Sequence, residues 1–165
     1  MFESPRRWIA KISDFSHSLL LSEGSEEQYL PGGTVKFAAP EWKEKLPTAK
    51  LLKTDTYSYG ILLGSALLGF DLVQEFIEKP EHGKIEQERV QYLQQQKQND
   101  GFRAYVLDLL YDRIDGALAA RREDLSLMQA FLECTLQADG EKRDLEKIIP
   151  ILSRYWLLPL CGVQP

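Results

Sequence analysis

The apolar positions of the chain begin with a short β-like run, which a long polar segment separates from the rest. Residues 8–12, "WIAKI", are short, apolar and β-prone, a pattern that predicts a strand. Residues 13–35 have no helical period and end in "PGGT", a strong turn signal. We therefore expect a long loop there, and long loops in compact domains are usually functional or mobile.

The most apolar stretch, "TYSYGILLGSALLGF" at 56–70, predicts a helix in the middle of a core. It is apolar nearly all round, and a helix without a polar face is typically buried. Thr54 or Asp55 would cap its start by accepting bonds from free backbone N–H groups. Its glycines each weaken such a helix by about 1 kcal/mol relative to Ala, and they are tolerable if neighbours pack closely against the bare backbone. These glycines are Gly60, Gly64 and Gly69.

Further helices are predicted towards the end of the chain. Residues 84–98 are polar and predict a helix on the surface, whereas 102–119 and 124–137 are amphipathic, and a last helix is expected over 143–154. The inward positions are Phe102, Val106, Leu109, Leu110 and Ala117 in the first amphipathic helix, Leu125, Met128, Phe131, Leu132 and Leu136 in the second, and Leu145, Ile148, Ile149 and Leu152 in the last.

Composition and charge narrow the class of protein. The apolar fraction is 44% and the charged fraction 27%, and 165 residues are enough for one domain with a core. The formal net charge of −5 argues against nonspecific nucleic-acid binding, which needs basic patches. Cys134 and Cys161 make no disulfide framework, and we find no signal peptide and no stretch long enough to span a bilayer. We therefore expect an intracellular protein of the cytoplasm or nucleus.

Four short motifs follow one another in a specific order: Asp14-Phe15-Ser16 after the predicted strand, Gly33-Thr34 with Ala39-Pro40-Glu41 at the end of the long loop, "DTYSYG" at the start of the apolar helix, and Arg143 after the turn "DGEK". This order resembles the C-terminal lobe of protein kinases, in which D-F-G, A-P-E, D-x-Y/W-S-x-G and a late arginine occur in the same succession. The resemblance covers roughly residues 8–154. It implies a mostly helical, protein-kinase-like C-lobe, a helical bundle around a buried central helix with a minor β element at the N-terminus. Residues 1–165 would then be a single partial domain.

The resemblance also implies a role for Asp14. The aspartate of D-F-G holds Mg²⁺ on the nucleotide phosphates, so Asp14 is the candidate metal ligand and Phe15 the apolar anchor that orients it. Ser16 stands where the family has glycine, and serine adopts positive φ less readily, which weakens the expectation of a hinge at Asp14. The alternative is that Asp14 is an ordinary turn aspartate.

Glu41 and Arg143 match the glutamate and arginine that form a buried ion pair in the family, so their implied role is architectural. The alternative is that both are solvated surface charges, as most Glu and Arg side chains are. Asp55 matches the residue that opens the central helix and braces the catalytic loop through backbone hydrogen bonds. Gly33, Thr34, Ala39, Pro40 and Glu41 together match the activation segment.

The 165 residues contain no glycine-rich loop, no V-A-I-K lysine and no H-R-D-x-x-x-x-N catalytic loop. The family transfers phosphate from ATP to protein hydroxyls with Mg²⁺. "GGT" resembles the serine/threonine branch, and "VKFAAPEW" shares features with the tyrosine branch. We expect this chain alone to be inactive and to bind neither ATP nor Mg²⁺ productively. The alternatives are a pseudokinase-type protein-binding module and an unrelated helical interaction domain.

A kinase-like C-lobe that starts at residue 8 would lack the elements that normally pack on its strand and on its central helix. We therefore expect a protein partner, or a missing N-terminal part, to cover an open apolar face of the 55–70 helix. No nucleic acid and no membrane is expected as a partner.

Overall fold

The computed structural model describes residues 15–20, 27–115, 122–144, 146, 147 and 149, and this part of the chain is mostly helical. The helices are α1 (Thr48–Leu68), α2 (Leu72–Ile77), α3 (Glu86–Gln98), α4 (Gly101–Asp115) and α5 (Arg122–Thr135), with short 3-10 turns at Pro80–His82 and Gly140–Lys142. The described residues form no strand, and their one β-type pairing is an antiparallel bridge between Gln28 and Leu46. The predicted strand at 8–12, Asp14 and most of the predicted helix 143–154 lie outside the described residues. At the start of that helix the prediction is wrong, since residues 143 and 144 are not helical, and Ile149, predicted to face inward, is 61% exposed.

Helix α1 begins six residues before the predicted cap, at Thr48 instead of Thr54. Pro47 precedes the first turn, and its carbonyl accepts the backbone N–H groups of Lys50 and Leu51. The Thr54 hydroxyl donates to the Leu51 carbonyl, 2.7 Å away, from inside the helix. The predicted helix start is therefore wrong, because the hydroxyl that resembles a cap bonds to the preceding turn instead.

The burial of α1 is one-sided. Ile61 is fully buried, whereas its neighbour Leu62 is 61% exposed. The exposed positions recur with alternating spacings of three and four residues, the pattern of a helix face that could seat another helix. We call this face the exposed stripe of α1; it comprises Leu52, Asp55, Tyr59, Leu62 and Ala66. The helix is therefore buried on one side and open on the other, and an open apolar face of the 55–70 helix was expected from the kinase-like resemblance.

The glycines of α1 have two different functions. Gly60 and Gly64 lie where α5 packs on α1: a Cβ on Gly60 would lie 2.7 Å from the Thr135 Cβ, and one on Gly64 would lie 2.9 Å from Leu132 Cδ2. The bare backbone at these positions thus allows the close approach that the sequence suggested. Gly69 instead ends the helix, with a φ of 79° that glycine adopts without strain.

The remaining helices complete the core beside α1. The buried apolar residues of α4 are Phe102, Val106 and Leu110, and those of α5 and the residue after it are Phe131, Leu132 and Leu136. Leu109 and Met128 are half-buried, and Ala117 lies outside the described residues. Helix α3 has the polar surface that was predicted, but it also buries Leu93 and Lys97. Within the described ranges, no helix is long and apolar enough to cross a bilayer.

Candidate functional site

The segment 34–41 leads from the "PGGT" sequence into Ala39-Pro40-Glu41 and lies between α1 and α3. A turn follows Gly33, in which the Thr34 carbonyl accepts the N–H groups of Phe37 (2.9 Å) and Ala38 (3.1 Å). Ala39 is part of the hydrophobic core. The segment is therefore anchored to the helices although it has no secondary structure of its own beyond turns.

Side chains from two helices bind four consecutive backbone carbonyls of this segment. Backbone groups that leave water must find partners, and these carbonyls find them outside any helix or sheet. The bonds run from Gln94 Nε2 to the Val35 carbonyl (2.8 Å), from Lys97 Nζ to those of Lys36 (2.7 Å) and Ala38 (2.8 Å), and from Ser58 Oγ to that of Phe37 (3.1 Å). We call Ser58, Gln94 and Lys97 the carbonyl clamp.

The end of the segment is anchored by an ion pair between Glu41 and Arg143. The two guanidinium nitrogens Nη1 and Nη2 each donate to a different carboxylate oxygen, with Nη2 lying 2.8 Å from Oε2. The Arg143 side chain is completely buried and that of Glu41 is 13% exposed. The contact predicted from the motif order is thus present, in the bidentate geometry that makes Arg–carboxylate pairs strong.

Arg143 also satisfies its remaining hydrogen-bond capacity with backbone carbonyls. A guanidinium has five N–H groups. Two bind Glu41, and the others bind the carbonyls of Gln137 (2.8 Å), Ala138 (3.0 Å) and Lys53 (3.2 Å). The arginine therefore ties together the segment 34–41, helix α1 and the chain after α5.

The local sequence explains how Arg143 reaches this position. In the "DGEK" turn, the Asp139 carboxylate accepts the N–H of Glu141 at 3.0 Å and so caps the 3-10 turn Gly140–Lys142. The Arg143 N–H then bonds to the Gly140 carbonyl. A Cβ on Gly140 would lie 3.2 Å from Glu41 Oε1, so this glycine also leaves room for the carboxylate.

Tyr57 of α1 connects the two anchors. Its ring centroid lies 4.8 Å from Arg143 Cζ and 5.5 Å from Lys97 Nζ, distances at which a cation is attracted to an aromatic face. Its hydroxyl is buried and has no hydrogen-bond partner in the described part of the chain. Burial raises the pKa of the Tyr57 hydroxyl far above its ordinary value, so the ring stays neutral near pH 7.

A cavity of about 350 Å³ opens beside the ion pair. Its charged lining residues are Glu41, Glu44, Lys50 and Asp139. None of the described residues that line it is a Ser, Thr, Cys or His. The Glu41 carboxylate thus lies between this cavity and the buried Arg143 guanidinium.

The other residues singled out from the sequence are either exposed away from the ion pair or outside the described part of the chain. Asp14 lies outside the described residues, Phe15 is 67% exposed, and Ser16 Oγ lies 3.3 Å from His17 Nδ1. The expectation that Phe15 packs as an apolar anchor is therefore wrong. Asp55 lies on the exposed stripe of α1. No three His, Cys, Asp or Glu side chains of the described ranges cluster in a way that could hold a metal ion.

Sequence reasoning missed the carbonyl clamp. Lys97 belongs to a polar helix and was expected to be solvated. The available signal was its position four residues after Leu93, the apolar residue that α3 buries, because residues four apart share a helix face. Ser58 is the serine of the D-x-Y/W-S-x-G match, but the motif did not indicate which group it binds. Gln94 carries no signal, since its role depends on where the segment 34–41 lies.

The comparisons with known proteins give a partial likeness. Over 61 residues the chain is 41% identical to ZmPK1, a Zea mays protein whose name describes a receptor protein kinase. The match covers 36% of this chain and 7% of that protein. No family model matches the chain, and no solved structure matches it significantly. Part of the chain is thus similar to a protein kinase, and the described residues form a helical domain.

Proposed function

We propose that the chain forms a single partial protein-kinase-like domain, a C-lobe in which Glu41 and Arg143 fix the end of the activation segment to the central helix. The observation that carries this proposal is the buried bidentate pair between residues 102 positions apart. Most Glu and Arg side chains remain in water, so such a pair argues for a specific architecture. The partial likeness to ZmPK1 supports the same family.

In that family the reaction is ATP-dependent phosphoryl transfer to protein Ser or Thr, with Mg²⁺ bound on the phosphates. We expect these 165 residues by themselves not to catalyse it. Phosphoryl transfer depends on positioning and charge neutralisation more than on covalent chemistry. The anchors of the segment 34–41 are structural, and a lone carboxylate such as Asp14 is a poor Mg²⁺ site without further ligands.

An ATP-labelling assay tests this expectation. Purified chain, labelled ATP, Mg²⁺ or Mn²⁺ and a general acceptor protein should give only background label. The matched variant is Asp14→Ala, which removes the one candidate metal ligand. Incorporation by the unmodified chain that disappears in Asp14→Ala would overturn the proposal of inactivity and assign a catalytic role to Asp14.

The exposed stripe of α1 favours a second function, a protein-binding module. Leu52 and Leu62 are both 61% exposed, and Tyr59 is exposed beside the Phe131 ring, with centroids 5.8 Å apart. Apart from Asp55 the stripe is apolar, and an exposed face of this kind typically marks an interaction surface. We propose that a protein partner, or a further part of a longer protein, covers it.

Photocrosslinking in cells tests this second function. A photoreactive residue at position 62 should give a specific adduct, and one at the exposed position Lys45 should not. The captured protein, once purified, should bind the unmodified chain and lose binding to Leu62→Asp. Equal binding to both, with both folded, would exclude the stripe as the interface.

A further inference from the structure

Lys97 is a buried amine without an anionic partner. It is 1% exposed, and its Nζ donates to the carbonyls of Lys36 and Ala38 at 2.7 and 2.8 Å. The rings of Tyr57 and Phe102 lie 5.5 and 5.9 Å away. No carboxylate of the described residues forms an ion pair with it. This environment is unusual for a lysine, which is almost never buried unless it is paired.

The hydrogen bonds of Lys97 match its neutral form better than its charged form. An ammonium has three N–H groups and a neutral amine has two. Two carbonyls of the described residues accept from Nζ, so a third N–H would add both an unmatched donor and a buried charge. Each of these is costly inside a protein, and the two ring contacts offset only part of that cost.

We propose that Lys97 is an acid-sensitive latch on the segment 34–41. In its neutral form it holds the backbone of this segment against α3. When it gains a proton, a state in which the segment has moved off α3 and the ammonium has reached water becomes more favourable. The inference concerns the segment itself and does not depend on the proposed kinase-like function.

The titration of Lys97 agrees with this geometry. Burial lowers the pKa of the Lys97 amine from 10.5 to about 7. In the open state the amine is solvated and regains its ordinary pKa, so the open state binds more protons between these two values. The opening constant therefore increases as the pH falls from about 10.5 to about 7, and it levels off below about pH 7.

The charged groups around Lys97 do not remove this dependence. Tyr57, the nearest titratable ring, stays neutral throughout the range because its pKa is raised. Arg143 lies over the same ring, and its guanidinium is paired with the Glu41 carboxylate. The Lys36 side chain pairs with Glu86 at 2.8 Å, at the start of α3. The other charges that act on the Tyr57 ring are those of Asp100 and Arg103.

Hydrogen exchange followed by mass spectrometry tests the latch. Protection of peptides covering 34–42 is measured between about pH 7 and pH 9 and corrected for intrinsic exchange rates. One linked proton corresponds to a change of up to about tenfold per pH unit. We expect protection to fall by up to that factor per unit as the pH decreases, and to stay below the protection of α5 peptides in the same sample.

The matched variants are Lys97→Met, which keeps the apolar stem without the amine, and Lys45→Met, which removes an exposed lysine four residues after Glu41 in the sequence. The slope should vanish in Lys97→Met and persist in Lys45→Met. An unchanged slope in Lys97→Met, a flat profile in the unmodified chain, or protection equal to that of α5 at every pH would overturn the latch.

A measurement on the unmodified chain covers the case in which Lys97→Met does not fold. The ¹³Cε resonance of Lys97 should titrate near pH 7 in the native state. Titration at the ordinary value near 10.5 would show that the amine is solvated or paired, and would overturn the proposal.

Discussion

The ion pair between Glu41 and Arg143 allows the most direct test of the architecture. In Glu41→Ala, both carboxylate oxygens disappear while the guanidinium stays completely buried. Two of its N–H groups lose their acceptors, and its charge loses its compensation. Removing one partner of a buried pair typically costs about 3–5 kcal/mol, because the remaining charge is left uncompensated. We expect a loss in that range, a large part of the stability of an ordinary domain.

The double variant Glu41→Ala/Arg143→Met determines how much of this loss of stability is due to the interaction between the two side chains. Arg143→Met alone also removes three bonds to backbone carbonyls, so it should destabilise the protein as well. Once the arginine is gone, Glu41→Ala should cost much less. We expect a coupling energy of about 0.5–3 kcal/mol, the range found for residues in direct contact.

The assay is a double-mutant cycle of four proteins: the unmodified chain, the two single variants and the double variant. Each is unfolded in urea, and the unfolding is monitored by far-ultraviolet circular dichroism. Lys142→Ala is the control, because Lys142 pairs with Asp139 at 3.6 Å with both side chains largely exposed. Exposed pairs contribute about 0–1 kcal/mol. Coupling between Glu41 and Arg143 below about 0.5 kcal/mol, the level for independent sites, would refute the reasoning.

Three further outcomes follow from the packing and the charges. Ile61→Ala should lower the free energy of unfolding by about 2–5 kcal/mol because Ile61 is fully buried, whereas Leu62→Ala on the exposed stripe should lower it by less than about 1 kcal/mol. Equal losses in urea unfolding would mean that the stripe is covered. Gly60→Ala should destabilise the protein by about 1–3 kcal/mol through overpacking against α5, although alanine has a better helix propensity than glycine. A raised midpoint of thermal unfolding would contradict the close packing at Gly60. The free energy of unfolding should rise with pH between about 7 and 9, by up to about 1.4 kcal/mol per unit, because the unfolded state keeps a proton that folded Lys97 has lost. Urea titrations at each pH should show this slope in the unmodified chain and lose it in Lys97→Met.

The order of the motifs predicted the long-range contact between Glu41 and Arg143. Glu41 and Arg143 are too far apart for any periodicity to connect them, and only their places in a known succession of motifs suggested that they meet. The turn before Arg143 could be predicted for a different reason, because its interactions are local. The Asp139 side chain accepts the N–H of Glu141, only two residues further on. The apolar faces of α4 and α5 were readable because helical spacing determines which residues point inward.

The start of α1 and the burial of its individual residues could not be predicted from the local sequence. Thr54 and Asp55 have the side chains of helix caps, but such side chains can also bond to the preceding turn, and only the conformation decides between the two. The apolar composition of the stretch likewise did not indicate which of its residues face the core and which form the open face. Leu62 and Ile61 are equally hydrophobic, so their different environments depend on which neighbours pack on each face.

The burial of Lys97 differs most from what the sequence predicts, because a lysine among glutamines is expected to be solvated. Its position gives the segment 34–41 two anchors of different kinds. At Glu41 the anchor is a charge pair whose cation, an arginine, keeps its proton at any pH that a protein experiences. At residues 35–38 the anchor includes an amine that gains or loses its charge near neutrality, when the chain is folded. A fall in pH should therefore loosen the segment from its N-terminal end while Glu41 stays fixed on Arg143. In the exchange experiment, this difference should appear as protection that falls with pH at 35–38 and stays high at the residues that follow Glu41.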